Sequence, residues 1–320
     1  MTTPPRPNAP FWRSNLWQYA GLLAALLLLI IAFSLQTSHF FSLTTLRTIS
    51  NQIPAAVLLA VGMTFVMIVG GIDLSIGSVM ALGGAVFGVC LTQWHWSLLP
   101  SLAACLLTGL LCGTVNGLIT VQWKLPSFIV TLGMLEVARG AAYLITNSQT
   151  MYIGASVERL NAASTFGLSL PFACAVLAVL AAQFALTRMV WGRYAMAVGA
   201  NEEAVRYAGI NPRPIKVAVF ALSGLLAACA AVLQCARLSS ADPNAGTGAE
   251  LQAIAACVIG GTSLLGGRGS VVNAFLGVLL LAVLSTGLAQ IGAQEPTRRM
   301  VTGGVILAAV ILDWYRARLA

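Results

Sequence analysis

The feature that most constrains this chain is a series of apolar stretches, each about 20 residues long, that recurs along all 320 residues. That is the length an α-helix needs to cross the roughly 30 Å hydrocarbon core of a bilayer. Only 8% of the residues are charged, whereas a soluble domain carries roughly 25%. A transmembrane β-barrel would instead show alternating segments of roughly ten residues, which are absent. The sequence therefore predicts an all-α polytopic membrane protein.

The apolar stretches predict about ten transmembrane helices, at residues 16–35, 52–70, 74–92, 98–121, 126–146, 168–187, 216–236, 251–266, 270–290 and 299–314. The first run is too long for the core of a signal peptide and no A-x-A cleavage site follows it, so we expect it to be retained. The predicted organisation is a cytoplasmic tail over 1–15, a single transmembrane domain over 16–314 and a second cytoplasmic tail over 315–320.

All basic residues except Arg139, which falls within a predicted span and is not counted, set the expected orientation. With the N-terminus inside, eleven Lys and Arg side chains fall on the cytoplasmic side and five on the opposite side. The positive-inside rule therefore places both termini in the cytoplasm. The net charge of +8 is explained by this orientation, so we expect no nucleic-acid partner.

Several classes of activity lack their motifs. No G-x-x-x-x-G-K-[ST] phosphate loop occurs, so the chain is not predicted to hydrolyse ATP itself. Neither H-E-x-x-H nor G-x-S-x-G is present. The number of cysteines, seven, is odd and no C-x-x-C motif occurs, which indicates free thiols. Two histidines are too few for a metal cluster. We therefore expect no catalytic residues, no metal and no cofactor.

The stretch GGIDLSIGS at 70–78 contains Asp73, one of three aspartates in the chain. A carboxylate among apolar spans is costly and could be a catalytic acid, an ion ligand or part of a broken helix. Because it follows a Gly pair, we interpret Asp73 as a cap on the free N–H groups of the next helix. A similar glycine-rich pattern recurs at 259–277, so broken or re-entrant helices are expected near 70–78 and 251–268. Gly-rich turns between helices also arise by chance.

Other polar residues within or beside the spans allow two interpretations each. Glu136 and Arg139 are three residues apart and share a helix face, where they would pair with each other or line a polar path. Asn116 lies between Gly113 and Gly117, a pattern typical of close helix packing, although an amide can also bind a sugar. Glu250 follows the polar run SSADPNAGTGA, which is a plain external loop or a contact for a delivered substrate or partner.

The longest cytoplasmic interruption covers residues 191–215. Its middle has an N-cap residue, Asn201, followed by two acids and strong helix formers, and then Gly209 as a stop signal. This pattern predicts a short helix outside the bilayer, bounded by Gly199 and Gly209. Such a helix suits docking to a soluble partner better than a plain connector.

Taken together, the motifs resemble those of membrane-spanning permease subunits of ribose-type bacterial ABC sugar importers. The resemblance rests on VGMTFVMIVGGIDLSIGS (61–78), PSFIVTLGMLEVARG (126–140), VGANEEAVRYAGIN (198–211) and ARLSSADPNAGTGAELQAIAACVIGGTSLLGGRGS (236–270). It implies a multi-pass protein of the bacterial inner membrane, acting as a homodimer with cytoplasmic ABC ATPases and a periplasmic sugar-binding protein. The permease itself is then not an enzyme.

The resemblance also implies roles for individual residues. The segment 198–211 matches the coupling helix that seats in the ATPase, which assigns that role to Gly199, Asn201, Glu202, Glu203, Ala204, Arg206 and Gly209. The candidate substrate-pathway residues are Asp73, Ser75, Ser78, Asn116, Glu250, Thr262 and Ser263. Ala249 and Gln252 depart from the family pattern, which usually has an aromatic residue and an acid there. Ribose or a related pentose is the first expectation for the sugar, because LSSADPNAGTG is closest to the ribose members.

Two other hypotheses remain at the level of the sequence. The chain could be an ion-coupled secondary sugar carrier acting alone, although this mechanism favours more ionisable groups at mid-membrane than the chain contains. An intramembrane enzyme would need Asp73 as an acid, and no catalytic partner for it is evident.

Overall fold

The helices of the computed structural model follow the predicted spans closely. It describes residues 11–37, 39–154, 157, 164–165 and 168–319. Within these residues the α-helices are α1 (Phe11–Gln36), α2 (Leu43–Gln52), α3 (Pro54–Ile68), α4 (Ile76–Thr92), α5 (Leu98–Gln122), α6 (Ser127–Ile145), α7 (Leu170–Arg188), α8 (Val190–Ala200), α9 (Glu202–Tyr207), α10 (Pro212–Leu238), α11 (Ala249–Ile259), α12 (Val271–Gln290) and α13 (Glu295–Leu319).

Four two-residue strands complete the secondary structure of the described part: β1 (Met151–Tyr152), β2 (Ser164–Thr165), β3 (Leu168–Ser169) and β4 (Ser240–Ala241). β1 pairs antiparallel with β4, and β2 pairs antiparallel with β3. The architecture is therefore helical throughout, and the first pair ties the connection after α6 to the end of α10.

Among the described residues, fewer helices than the ten predicted are long and apolar enough to cross a bilayer. Among the described helices, α5, α6, α7, α10 and α12 are long and apolar enough, and the pair α2–α3, bent by 48°, would make a sixth. Helix α4 has 17 residues and α11 has 11, and at 1.5 Å per residue they reach only about 26 Å and about 17 Å. The predicted span 251–266 is helical only to Ile259, because Gly260 and Gly261 begin a turn. The predicted class, an all-α protein with several membrane-spanning helices, is confirmed.

Helix α3 forms the centre of the core, and 14 of its 15 residues are buried. Its neighbours include α7, α10, α11 and α12, and its Phe65 ring lies 5.4 Å from the ring of Trp191 on α8. Such an apolar helix, hydrophobic all round, is stable only when other helices surround it.

Small residues allow α5 and α10 to pack unusually closely. Gly109, Gly113 and Gly117 lie one turn apart on α5 and face α10. If Gly117 were replaced by a residue with a side chain, its Cβ atom would lie only 2.8 Å from the Val217 Cα. Lipid provides no hydrophobic force between helices, so close van der Waals packing over small residues is what holds such a pair together.

The segment between α10 and α11 does not form the plain external loop that was one interpretation of SSADPNAGTGA. A side-chain carbon on Gly88 near the end of α4 would lie 2.8 Å from the Ala241 Cβ, whereas Gly77 near its start packs on Gly246. These two contacts are eleven residues apart on α4, or about 16 Å. The segment therefore runs inward along α4 before α11 begins. The break in helical structure that was predicted near 251–268 thus has a counterpart before α11, between Leu238 and Ala249.

Candidate functional site

Asp73 lies at the centre of a buried polar cluster, which consists of Asp73, Ser75, Asn116 and Ser223. The Asp73 Oδ1 accepts hydrogen bonds from the Ser75 N–H at 3.0 Å and the Ser75 hydroxyl at 2.6 Å. Its Oδ2 accepts one from the Ser223 hydroxyl of α10 at 2.9 Å. Asn116 on α5 donates to the Ser75 oxygen at 2.9 Å. All four side chains are at most 1% exposed. A buried carboxylate is costly unless it is hydrogen-bonded, and these bonds supply the partners that Asp73 needs.

The polar cluster is held in place by the backbone of the turn between α3 and α4. This turn, residues 69–75, is fixed by two hydroxyls of α6. Ser127 accepts from the Ile72 N–H at 2.9 Å, and Thr131 accepts from the Leu74 N–H at 3.0 Å. Partly buried backbone N–H groups that no helix satisfies thereby obtain side-chain partners. The break in the helix at 70–78 is confirmed, and it is stabilised by three other helices.

The interpretation of Asp73 as a helix cap needs correction. The carboxylate bonds one backbone N–H, that of Ser75, while α4 begins at Ile76 with Ser75 in the N-cap position and no side-chain bond there. Its other partners are hydroxyls, and one comes from a residue 150 positions away. Asp73 thus joins the turn to α10 as well as fixing the start of α4.

The pairing of Glu136 with Arg139 is wrong. Arg139 instead donates through Nη1 to the carbonyl oxygens of Pro243 at 2.6 Å and Ala245 at 2.9 Å. These carbonyls belong to the inward-running segment, where no helix satisfies them. Non-helical backbone at membrane depth requires such partners. The neighbouring Tyr143 hydroxyl bonds the Asn244 Oδ1 at 2.7 Å.

The remaining candidate pathway residues fall into two places. Ser78 is buried on the first turn of α4, and the Glu250 carboxylate reaches the same end of α4, where a side-chain carbon on Gly77 would lie 2.5 Å from its Oε2. Thr262 and Ser263 lie elsewhere, in the turn at residues 260–270. Buried Thr262 contacts Gly269, and the Ser263 hydroxyl accepts from the Leu265 N–H at 3.2 Å. The structure thus joins Asp73, Ser75 and Asn116 by hydrogen bonds, whereas Thr262 and Ser263 lie in a different turn.

A junction of three backbone segments lies beside the turn 69–75. The Gly267 N–H donates to the Ile68 carbonyl at 2.8 Å, and a side-chain carbon on Gly199 would lie 2.6 Å from the Gly267 nitrogen. A carbon on Gly266 would lie 3.0 Å from the Gly70 Cα. We call this contact of the α8 end, the turn 69–75 and the turn 260–270 the glycine junction. Only residues without side chains allow so close an approach.

The short helix predicted after Asn201 is present as α9. The Asn201 Oδ1 accepts from the Ala204 N–H at 2.9 Å, and Gly209 has a positive φ of 83° just after the helix end. Gly199 is not its boundary, because α8 extends through Gly199 to Ala200. Every residue of α9 except Val205 is exposed.

An open cleft of about 640 Å³ separates α9 from the end of α5 and the start of α10. Its charged lining residues are Lys124, Glu202, Glu203, Arg206, Arg213 and Lys216. Glu202 pairs with Lys216, and Glu203 lies 4.0 Å from Arg206. The exposed helix and this charged cleft form one continuous surface.

Three contributions to these sites were missed by the sequence reasoning. Ser223 lies in an apolar run, and the hydroxyls of Ser127 and Thr131 sit in a span that looks unremarkable. A serine or threonine in a membrane helix usually bonds its own backbone, so its type alone does not reveal a distant partner. Within the described residues no group of three or more metal-ligating side chains occurs.

Comparison with known proteins identifies the family. Residues 45–310 match the family described as branched-chain amino acid transport system / permease component. The chain is 40% identical to the ribose import permease protein RbsC of Escherichia coli strain K12, over 91% of this chain and 92% of that protein. It is 33% identical to the L-arabinose ABC transporter permease protein AraH of Azospirillum brasilense, over 98% and 95% of the two chains.

The fructose import permease protein FrcC of Rhizobium meliloti is 34% identical over 92% of this chain and 85% of its own. No solved structure matches the chain significantly. The apolar helices agree with the inner-membrane location of such permeases. The chain therefore belongs to the permease components of bacterial ABC transporters, in the ribose-type sugar branch, and is a multi-pass protein of the inner membrane.

Proposed function

We propose that this chain forms the translocation pathway of an ATP-driven importer for a monosaccharide, with ribose as the first sugar to test. Two copies of the chain would work with cytoplasmic ABC ATPases and would receive the sugar from a periplasmic binding protein. The hydrolysis of ATP would take place on the partner chains. The support for ribose is the 40% identity to a ribose import permease, while relatives that carry L-arabinose and fructose at 33% and 34% identity keep other sugars within the proposal.

The coupling part of the proposal rests on the contact of α8 with Ile68, directly before the turn 69–75, and with the turn 260–270, which itself packs on Gly70. Helix α9 is exposed and follows α8 directly. Because Gly199 packs on Ile68 and Gly267 in the glycine junction, a displacement of α8 and α9 must move both turns or break their contacts. The turn 69–75 carries Asp73, so a movement at the exposed helix is transmitted to the buried polar cluster.

The proposed role of the coupling residues follows from this arrangement. Glu202, Glu203, Ala204 and Arg206 present the exposed side of α9 to the ATPase, Asn201 and Gly209 fix the ends of the helix, and Gly199 connects it to the membrane domain. Binding of ATP by the partner would shift the dimer between two conformations, which requires that the nucleotide-bound ATPase binds one of them more tightly.

The experiment that tests the function is reconstitution. The purified chain is placed in liposomes with its ATPase and binding protein, and the accumulation of labelled ribose, L-arabinose and fructose is measured with and without ATP. We expect accumulation of at least one sugar only when all components and ATP are present. Accumulation by the chain alone, driven by a proton or sodium gradient, would instead identify an ion-coupled secondary carrier.

A further inference from the structure

The centre of α6 exposes a charged side chain that the described part of the chain does not cover. Helix α6 runs from Ser127 to Ile145 and has 19 residues, so Glu136 is the tenth. The helix is long and apolar enough to cross a membrane, which puts Glu136 about 14 Å from either end. Its side chain is exposed, and within the described residues it forms no ion pair.

Lipid cannot be the environment of this carboxylate without a considerable cost. A charged residue at the centre of a membrane helix costs on the order of 3 kcal/mol, and such residues face a protein interior or a water-filled cavity. The exposed side chains of the neighbouring helices behave differently. Leu107, Leu111 and Leu118 on α5 and Leu177 and Leu180 on α7 are large and apolar, as lipid contact requires. Helix α6 also exposes apolar side chains, such as Ile129, Leu132 and Val137, and differs from these neighbours in the charge at its centre.

A second segment exposes polar side chains at the same depth. Residues 242–248 run inward between the contact of Ala241 with Gly88 and the contact of Gly246 with Gly77. Asn244 and Thr247 in this segment are exposed, and the Thr247 hydroxyl bonds the Asn244 carbonyl at 2.8 Å. An external loop would explain such residues, but this segment packs on a membrane helix over about 16 Å.

The two polar segments are fixed to each other. Arg139 lies three residues after Glu136 and binds the carbonyls of Pro243 and Ala245, and Tyr143 binds the Asn244 side chain. Glycines at 133 and 140 flank Glu136 on α6, and a side-chain carbon at either position would meet nothing within 4 Å. The exposed groups are thus a carboxylate, an amide and a hydroxyl with open space beside them.

We infer that Glu136, Asn244 and Thr247 line the water-filled part of the sugar pathway and contact the sugar hydroxyls there. The inference rests on the proposed transport function and adds the identity of the lining residues. The chemistry suits a neutral polyhydroxylated molecule, because carboxylate, amide and threonine oxygens accept hydrogen bonds from hydroxyl groups and the amide nitrogen donates them. Arg139 acts as a positioning residue, since it holds the segment 242–248 against α6.

Water access is tested in the full complex with cysteines introduced one at a time and a charged, membrane-impermeant thiol reagent, and the labelling of the background without an introduced cysteine is subtracted. The background is Cys174→Ser, because Cys174 is the exposed native cysteine in the described part of the chain. Glu136→Cys and Thr247→Cys probe the pathway, and Leu177→Cys on α7 is the matched lipid-facing control. We expect the cysteines at both pathway positions to react about tenfold faster than the cysteine at position 177. Addition of ribose with its binding protein should slow the labelling reaction at both pathway positions.

The labelling result does not depend on transport. Reaction at position 136 as slow as at position 177, in both the nucleotide-free and the ATP-bound complex, would overturn the inference even when the wild-type complex imports sugar. If Glu136→Cys fails to insert, Gly133→Cys and Gly140→Cys on the same face replace it, because neither position is crowded. Failure of wild-type uptake would instead refute the proposed function.

Sugar contact is tested separately by selectivity. Thr247→Val keeps the shape of the side chain and removes its hydroxyl, and Glu136→Gln keeps the carbonyl acceptor and removes the charge. We expect the ratio of ribose uptake to L-arabinose uptake at saturating sugar to change by about fivefold, as expected for one lost hydrogen bond. An unchanged ratio in both variants, with normal ATP-dependent uptake, would show that these groups do not touch the sugar.

Discussion

The Ser223 hydroxyl donates a 2.9 Å hydrogen bond to the Asp73 carboxylate, although the two residues are 150 positions apart and lie on different elements. Both side chains are 1% exposed. This bond, with the two from Ser75, connects the turn 69–75 to α10, which is the longest described helix. The break in the membrane helices is thereby a fixed structural element, and the properties of Asp73 can be tested through its partners.

Replacement of Asp73 should separate hydrogen bonding from charge. We expect Asp73→Ala to destabilise the protein by roughly 3 kcal/mol, because it leaves buried donors on Ser75 and Ser223 without an acceptor. Asp73→Asn should cost less, since its carbonyl can still accept from Ser75. The measurement is thermal unfolding in detergent alongside transport. If Asn lowered transport as much as Ala while leaving stability and expression normal, the negative charge itself would be the functional element.

Arg139 and Glu136 should behave independently of each other. We expect Arg139→Ala to destabilise the protein by about 2–4 kcal/mol, since it leaves two carbonyls in the membrane domain unpaired, and Arg139→Lys to restore part of this loss. Glu136→Gln is the matched control and should leave the unfolding temperature unchanged. A similar loss of stability from Glu136→Gln would restore the hypothesis that the two side chains pair.

The close packing of α5 on α10 should not tolerate a methyl group. We expect Gly113→Ala to destabilise the protein by about 1–3 kcal/mol, the usual range for overpacking a filled interior, because its new carbon would overlap the Phe220 carbonyl. Gly304→Ala on α13 is the control, since a carbon there would meet nothing within 4 Å. Equal unfolding temperatures for the two variants would contradict the packing described.

Substitutions on the exposed side of α9 should uncouple transport without affecting folding. The Glu203–Arg206 pair is exposed and its atoms are 4.0 Å apart, so it contributes less than about 1 kcal/mol to stability. We expect Glu203→Lys and Arg206→Glu to insert normally and to lose sugar-stimulated ATP hydrolysis and uptake. Glu295→Gln, at the start of α13, is the control for a general effect of surface charge. Normal uptake in both α9 variants would remove the docking role of this helix.

Several elements could be predicted from the sequence because their causes are local. The spans at 98–121, 126–146 and 270–290 agree with α5, α6 and α12 within a residue or so at each end, since apolar length alone defines them. Helix α9 has its cap, its acids and its glycine stop within nine residues. The resemblance likewise identified the family correctly, because its motifs cover most of the chain in order.

The errors concern contacts between distant residues. A local rule pairs Glu136 with Arg139 because they share a helix face, but the carbonyls of Pro243 and Ala245 are more than 100 positions away. The same applies to Gly199, whose role depends on Ile68 and Gly267 and not on the helix it was expected to begin. Residue type and spacing do not contain this information.

The sequence by itself therefore determined the membrane-protein class, the positions of most helices and the exposed helix α9, because apolar length, caps and stop signals act within a few residues. Only the tertiary structure decided where the polar groups of the membrane domain find their partners. A buried carboxylate, guanidinium or backbone carbonyl must be satisfied by some neighbour, and which neighbour is available depends on how α4, α5, α6 and α10 pack. That packing joins Asp73 to Ser223 and holds the segment 242–248 inside the helical domain.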